Sequence, residues 1–259
     1  MEFRELTSSL LNFWGLGCAE HILDSRDYMT FIRRRNHWVN RNLSRGLSGI
    51  IVFDWSRIIA FSLEIPIDIA PLPILGNNIV VVLCHWVAPP IANPNRKRML
   101  IENVVDRMKS RGFSGMSLVC PHKLELPLFE SMGFLTVSQI DCICPNSFLL
   151  FLNLNGGEPP VVKQPPPIPP PKKRTFALDV FYPEFCPIGT VLLNRILRQI
   201  ASVSSLVELR VHDTSTRRVV LELGRTLGCY LNGENISSKI LLGVPLKQII
   251  SEAKREHPT

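Results

Sequence analysis

The sequence lacks the signatures that mark many enzymes on sight. It holds no nucleophile triad, no Walker loop, no dinucleotide fingerprint and no carboxylate pair that stands out. Its longest uncharged apolar run, Ile79 to Cys84, falls far short of the ~20 residues a membrane helix needs, so no membrane anchoring is expected. Met1 to Glu5 alternates charged with apolar residues, which does not read as a secretory signal. The seven cysteines (18, 84, 120, 142, 144, 186 and 229) are odd in number and follow no framework spacing. They predict reduced thiols in a cytoplasmic protein, not a disulfide scaffold.

What is present fits a globular chain. Hydrophobic residues make up 46% and charged residues 20% of 259 residues, enough for one large domain or two ordinary ones. The net charge of +7 suits an anionic partner such as a nucleotide-bearing ligand or a nucleic acid. Residues 158–174 hold eight of the 21 prolines and divide the chain. Such a tract cannot pair as strand or coil as helix and reads as an extended spacer, about 3.1 Å per residue. It separates residues 1–157 from residues 175–259.

The first part reads as a mixed α/β sheet with helices on its faces. Tyr28 to Ser44 is predicted helical, with a basic face at Arg33, Arg34 and Arg35. Gly49 to Phe53 and Ile58 to Ile65 form a hairpin about Asp54–Arg57. Ile79 to Val87 is a buried strand. A turn follows at Pro94-Asn95-Arg96-Lys97-Arg98, then an amphipathic helix from Met99 to Arg111, a strand from Met116 to Cys120, and a short helix closing on Leu128-Phe129-Glu130-Ser131-Met132-Gly133-Phe134. The second part reads as β-α-β-α-β-β-α. It opens on Phe181-Tyr182-Pro183-Glu184-Phe185-Cys186-Pro187 and carries a hairpin, Leu227 to Leu231 and Glu234 to Ser237, on Asn232-Gly233.

These motifs together resemble a two-domain family, a GNAT N-acetyltransferase domain followed by a YoaP-type thioredoxin-like domain. The residues that carry the likeness are Trp38, Cys84-His85-Trp86-Val87, the Gly133-Phe134 signature, the Phe185-Cys186-Pro187 opening and the Tyr230-Leu231-Asn232-Gly233 hairpin. The resemblance implies acetyl-CoA as donor and an amine as acceptor. It implies that the backbone of Trp86, Val87 and Ala88 holds the pantetheine arm. In the family a glycine-rich loop cradles the pyrophosphate; its two glycine positions fall here on Pro94 and Arg96. Asn95, Arg96, Lys97 and Arg98 are the expected substitutes, gripping phosphate by charge. The tyrosine that protonates the leaving thiolate in many such enzymes falls on Phe129. His85 and Glu64 are the candidate bases, with a core histidine the competing reading of His85.

Other readings compete. A fold that has lost its glycine loop and tyrosine could serve as a non-catalytic binder of RNA or the ribosome. Arg33–Arg35, Arg96–Arg98 and Lys172–Arg174 would supply the charge, with Trp38 and Trp55 available to stack. Cys186 at a predicted helix start invites a redox reading, with Cys229 as a distant partner; a structural cysteine is the alternative. Cys142 and Cys144, with Cys120 and His122, do not match the spacing of structural zinc sites, so no metal is expected.

Overall fold

The structure is a computed structural model that describes residues 1–11, 25–88, 94–140, 147–172 and 175–256. Cys18, Cys142, Cys144, Lys173 and Arg174 lie outside the described residues.

The first part comprises β1 (Glu2–Glu5), α1 (Ser25–Leu43), β2 (Ser48–Asp54), β3 (Arg57–Pro66), β4 (Ile74–Leu75), β5 (Ile79–Val87), α2 (Pro94–Ser110), β6 (Gly115–Cys120), α3 (Leu126–Glu130), β7 (Leu135–Ile140) and β8 (Ser147–Asn153). Seven of these strands form one sheet in the order β1-β2-β3-β5-β6-β8-β7. Neighbours are antiparallel except β5 and β6, which are parallel across the α2 crossover. A mixed sheet flanked by helices is the architecture that the acetyltransferase resemblance implies. The β-branched run of β5 suits a central strand buried on both faces. Val81 and Leu83 enter one core with Trp38 and Phe151, while Val80 and Val82 enter another with Leu100, Val104 and Phe129.

The basic turn is helical. α2 begins at Pro94, not at Met99, so Arg96 and Lys97 fall in its first turn and Arg98 follows directly. Proline is tolerated there because its missing N–H would have had no partner within the helix.

The proline tract holds β9 (Val161–Val162), and the second part comprises β10 (Phe176–Tyr182), α4 (Pro187–Gln199), β11 (Val207–Asp213), α5 (Arg217–Leu223), β12 (Gly228–Leu231), β13 (Glu234–Asn235), α6 (Ser237–Leu241) and α7 (Leu246–Glu256). Its sheet runs β11-β10-β12-β13, with β10 parallel to β11 and antiparallel to β12. Residues of α4, α6 and α7 pack with Leu178, Val180, Cys229 and Leu231 in one core. Asn232 (φ 49°) and Gly233 (φ 92°) make the expected hairpin turn, both in the left-handed region. The ladder stops at Asn235, whose Oδ1 accepts the Ser237 N–H at 2.9 Å and so starts α6 where a strand was expected to continue.

The proline tract is attached along much of its length. Val161 and Val162 pair with β4, which corrects the expectation that nothing in the tract joins a strand; both residues keep the N–H that proline lacks. Arg225 Nη1 donates to the Pro166 carbonyl (2.8 Å) and Arg210 Nη2 to the Pro169 carbonyl (2.9 Å). Gly224 ends α5 in a left-handed conformation (φ 66°), and a Cβ there would lie 2.3 Å from Pro165 Cα.

The two sheets share a core. Trp38 of α1 is 1% exposed, and its ring lies 4.8 Å from that of Phe185, which joins the core of the first sheet. Its Nε1 donates to the Ser215 carbonyl at 2.8 Å. Arg41 Nη2 pairs with Glu184 Oε2 at 3.1 Å, and Thr226 Oγ1 donates to the Pro71 carbonyl at 3.1 Å.

Trp38→Ala should cost about 3–5 kcal/mol in urea unfolding. Trp38→Phe, which keeps the packing but leaves the Ser215 carbonyl unpaired, should cost about 1–3 kcal/mol. A Trp38→Ala loss below about 1 kcal/mol would mean that the junction contributes little.

Candidate functional site

The site begins with a register fault in β5. Leu63 faces Cys84 and Glu64 faces Val82, so Leu83 is the extra residue of a bulge. Strand alternation therefore resets: Val82 and Val87 point into the α2 core, Leu83 and Cys84 into the other. His85 lies on the α2 face, its ring edge-on to Phe129 at 5.7 Å. Unbroken alternation would put His85 on one face with Leu83 and Val87; the bulge leaves it with Val87 and parts it from Leu83. At the same place β5 and β6 part. Their parallel pairing runs from Ile79/Gly115 to Val82/Leu118 and stops.

A cavity of about 270 Å³ opens where the strands separate. Leu83, Cys84 and His85 line it from β5, Val119, Pro121 and His122 from the end of β6, and Lys97 and Glu125 from the helical side. Phe185, Cys186, Pro187 and Ile188 complete it from the second part of the chain.

Its electrostatics are specific. Lys97 Nζ is ion-paired with Glu125 Oε1. Burial and then the nearby Lys97 charge push the His85 imidazole down to about 4, against the opposing pull of Glu125. His85 is therefore neutral at pH 7 and can accept a proton, though as a weak base. Arg98 Nη2 donates to Ser131 Oγ at 2.6 Å. The Arg96 Nη1 atom is buried and meets no hydrogen-bond partner among the described residues. No acidic residue sits in the first turn of α2.

Of the expected bases, only His85 lines this cavity. Glu64 is fully buried in a separate network: it accepts from Ser62 Oγ and from Ser48 Oγ (3.1 Å), and pairs with Arg107 at 3.5 Å. Burial raises its pKa above the ordinary carboxylate value, with the serine bonds and Arg107 opposing. It acts within the sheet, not at the cavity. The Trp86 ring stacks on Phe61 at 5.5 Å and does not line the cavity. The Ala88 N–H is spent on the Ile59 carbonyl at 2.8 Å. By the alternation of an antiparallel ladder Trp86 also turns its backbone toward β3, leaving Val87 to offer its groups to the open side. Phe129, at the tyrosine position, is wholly buried and supplies no proton.

Cys186 caps the N-terminus of α4 and packs against the cores of both sheets. Cys84, Cys120, Cys186 and Cys229 form no disulfide with one another among the described residues. Burial, aided by Asp179, raises the pKa of the Cys229 thiol and makes it a poor thiolate. Sequence reasoning missed Glu125, His122 and Ile188 as cavity residues. Only the strand separation and the docked second sheet bring them to His85. Trp38, expected to be free for stacking, is buried, and Arg35 is 2% exposed with Nη2 on the Leu11 carbonyl at 2.9 Å. Those two residues are spent internally and cannot serve a nucleic-acid face, whereas Trp55 is exposed. Among the described residues no group of His, Cys, Asp and Glu could hold a metal, and no helix is long and apolar enough to cross a membrane.

No family model matches the chain. A curated protein, uncharacterised N-acetyltransferase YoaP of Bacillus subtilis (strain 168), is 20% identical over 200 residues, covering 75% of this chain and 76% of its own. Ribosomal-protein-alanine N-acetyltransferase from Brucella melitensis aligns in structure with 60% of this chain and 100% of its own, at TM-score 0.48 and 11% identity. A GNAT phosphinothricin acetyltransferase from Sinorhizobium meliloti, solved with AcCoA, aligns with 60% of this chain and 89% of its own, at TM-score 0.45 and 14% identity.

The lowered pKa of His85 has a sign. The unfolded histidine titrates near 6.5, the folded one near 4. Between those values the unfolded chain binds the extra proton, so stability falls as pH drops from 6.5 toward 4 and is unaffected above about 7. His85→Gln should remove about 1–2 kcal/mol of the stability lost between pH 7 and pH 5, read by urea unfolding at both pH values. An unchanged acid slope would place His85 in a solvated setting.

Proposed function

We propose that the chain transfers an acetyl group from acetyl-CoA to an amine. One observation carries the reading: β5 and β6 part at the Leu83 bulge and open a cavity beside a neutral histidine. A parted strand pair leaves backbone groups unpaired, and an extended pantetheine arm can take them up. Val87 is the residue turned to do so. The curated relative, itself called an N-acetyltransferase, supports the same reading.

The residues present fit acetyl-CoA at the phosphate end as well. Two cations in the first turn of α2, Arg96 and Lys97, with Arg98 directly after them, oppose the helix dipole unless an anion meets them. The orphaned Arg96 Nη1 is a donor of the kind a phosphate satisfies. Lys97, expected as a phosphate ligand, is engaged by Glu125 and serves the cavity wall in this reading. Asn95 and Arg98 stand beside Arg96 at the start of the same helix.

In the reaction the amine nitrogen attacks the thioester carbonyl carbon, the C–S bond breaks and CoA leaves as its thiolate. No covalent enzyme intermediate is needed, so positioning carries much of the rate. His85 accepts the proton shed by the attacking amine. No tyrosine lines the cavity, and Phe129 has no proton, so CoA departs without a tyrosine acid. In this reading the second sheet is a thioredoxin-like unit that walls the site. Its parallel β10/β11 and antiparallel β10/β12 order supports that assignment. Cys186 has no second thiol within its Cys-Pro-Ile-Gly turn, which disfavours a redox role.

Calorimetry should show micromolar acetyl-CoA binding, weakened about tenfold in Arg96→Ala, equivalent to about 1.4 kcal/mol. No heat at millimolar ligand would overturn the assignment. Salt-sensitive RNA binding in its place would favour a recognition role.

A further inference from the structure

Resting on the acetyltransferase reading, we infer that the turn Phe185–Ile188 of the second sheet selects the acceptor, and that the acceptor is a small, largely apolar amine. The donor's thioester must reach His85 from the opening between β5 and β6. Phe185, Cys186, Pro187 and Ile188 form the wall supplied by the other part of the chain, so an amine approaching the thioester from the opposite side meets this turn.

The turn is fixed where it stands. Phe185 is buried in the core of the first sheet against Trp38, and Glu184 is tied to Arg41. Pro187 sets the first turn of α4, and the Thr190 N–H bonds the Cys186 carbonyl at 3.5 Å. A wall held at both ends discriminates by shape, because it cannot retreat from a bulky ligand without opening the shared core.

The lining defines the chemistry. Leu83, Val119, Pro121, Phe185, Pro187 and Ile188 give apolar surface. The one carboxylate, Glu125, already faces Lys97, so the cavity offers no unpaired anion for a polycationic ligand. Its volume of about 270 Å³ lies just below the ~300–1,000 Å³ of drug-sized pockets, and the donor's acetyl end must share it. A lysine-rich peptide or a polyamine suits neither the charge nor the size; an arylalkyl or short alkyl amine suits both.

Ile188 is the residue to vary, since it lines the cavity while remaining only partly buried. Acetylated product would be followed by mass spectrometry for butylamine, phenethylamine, spermidine and a lysine-rich peptide, using the full chain. The two apolar amines should exceed spermidine and the peptide by at least tenfold in kcat/KM. Ile188→Phe should lower phenethylamine kcat/KM about tenfold and Ile188→Ala should raise phenethylamine relative to butylamine about tenfold, the range a methylene or two commands in an apolar pocket. Acetyl-CoA affinity by calorimetry should stay within about twofold in both, and thermal unfolding would confirm that both fold. An unchanged amine ranking in both variants, or preference for spermidine or the peptide, with acetyl-CoA still bound, overturns this inference alone. Failure of the wild type to bind acetyl-CoA overturns the acetyltransferase reading and this one with it.

Discussion

The single extra residue at Leu83 is the constraint on which the site depends. A bulge in a central strand interrupts a ladder that is otherwise buried on both faces, and the interruption has to be covered. Here it releases β5 from β6 beyond Val82, turns His85 toward Phe129 and leaves a cavity that neither helical layer fills. The same event keeps Leu83 and Cys84 on one face and so moves His85 to the other, and the cavity lined by all three reaches from one core toward the other.

Coverage comes from the second sheet. Its Phe185 enters the first core, Trp38 spans the junction with both its ring and its indole N–H, and the proline tract is clamped by Arg210 and Arg225. A polyproline ribbon offers carbonyls but few N–H groups, so arginine donors are the side chains suited to holding it. The tract thus connects the two parts and also limits how far they can separate.

Buried charge is handled differently in two places. Glu64 sits under Ser48, Ser62 and Arg107, where burial raises its pKa, and it knits β3 to α2. Lys97 and Glu125 pair at the cavity wall, and burial together with the Lys97 charge holds His85 neutral against the pull of Glu125. Both groups look alike in the sequence as polar residues near the central strand. Their surroundings give one a structural part and the other a place at the cavity.

The succession of strands and helices about β5, the first hairpin, the α2 crossover, the Asn232-Gly233 turn and the Gly133-Phe134 close were legible in the sequence, because each rests on local chemistry: β-branched runs, amphipathic spacing and residues that tolerate positive φ. Trp38 was legible as a helix residue but not as a junction residue, since its Ser215 partner lies 177 positions away. The bulge at Leu83, the exclusion of Glu64 from the cavity and the arrival of Ile188 beside His85 were decided only by tertiary structure. A bulge is a mismatch between two strands and a cavity is a space between several elements, so neither is a property of any one segment; both come into being when β3, β5, β6 and α4 pack together.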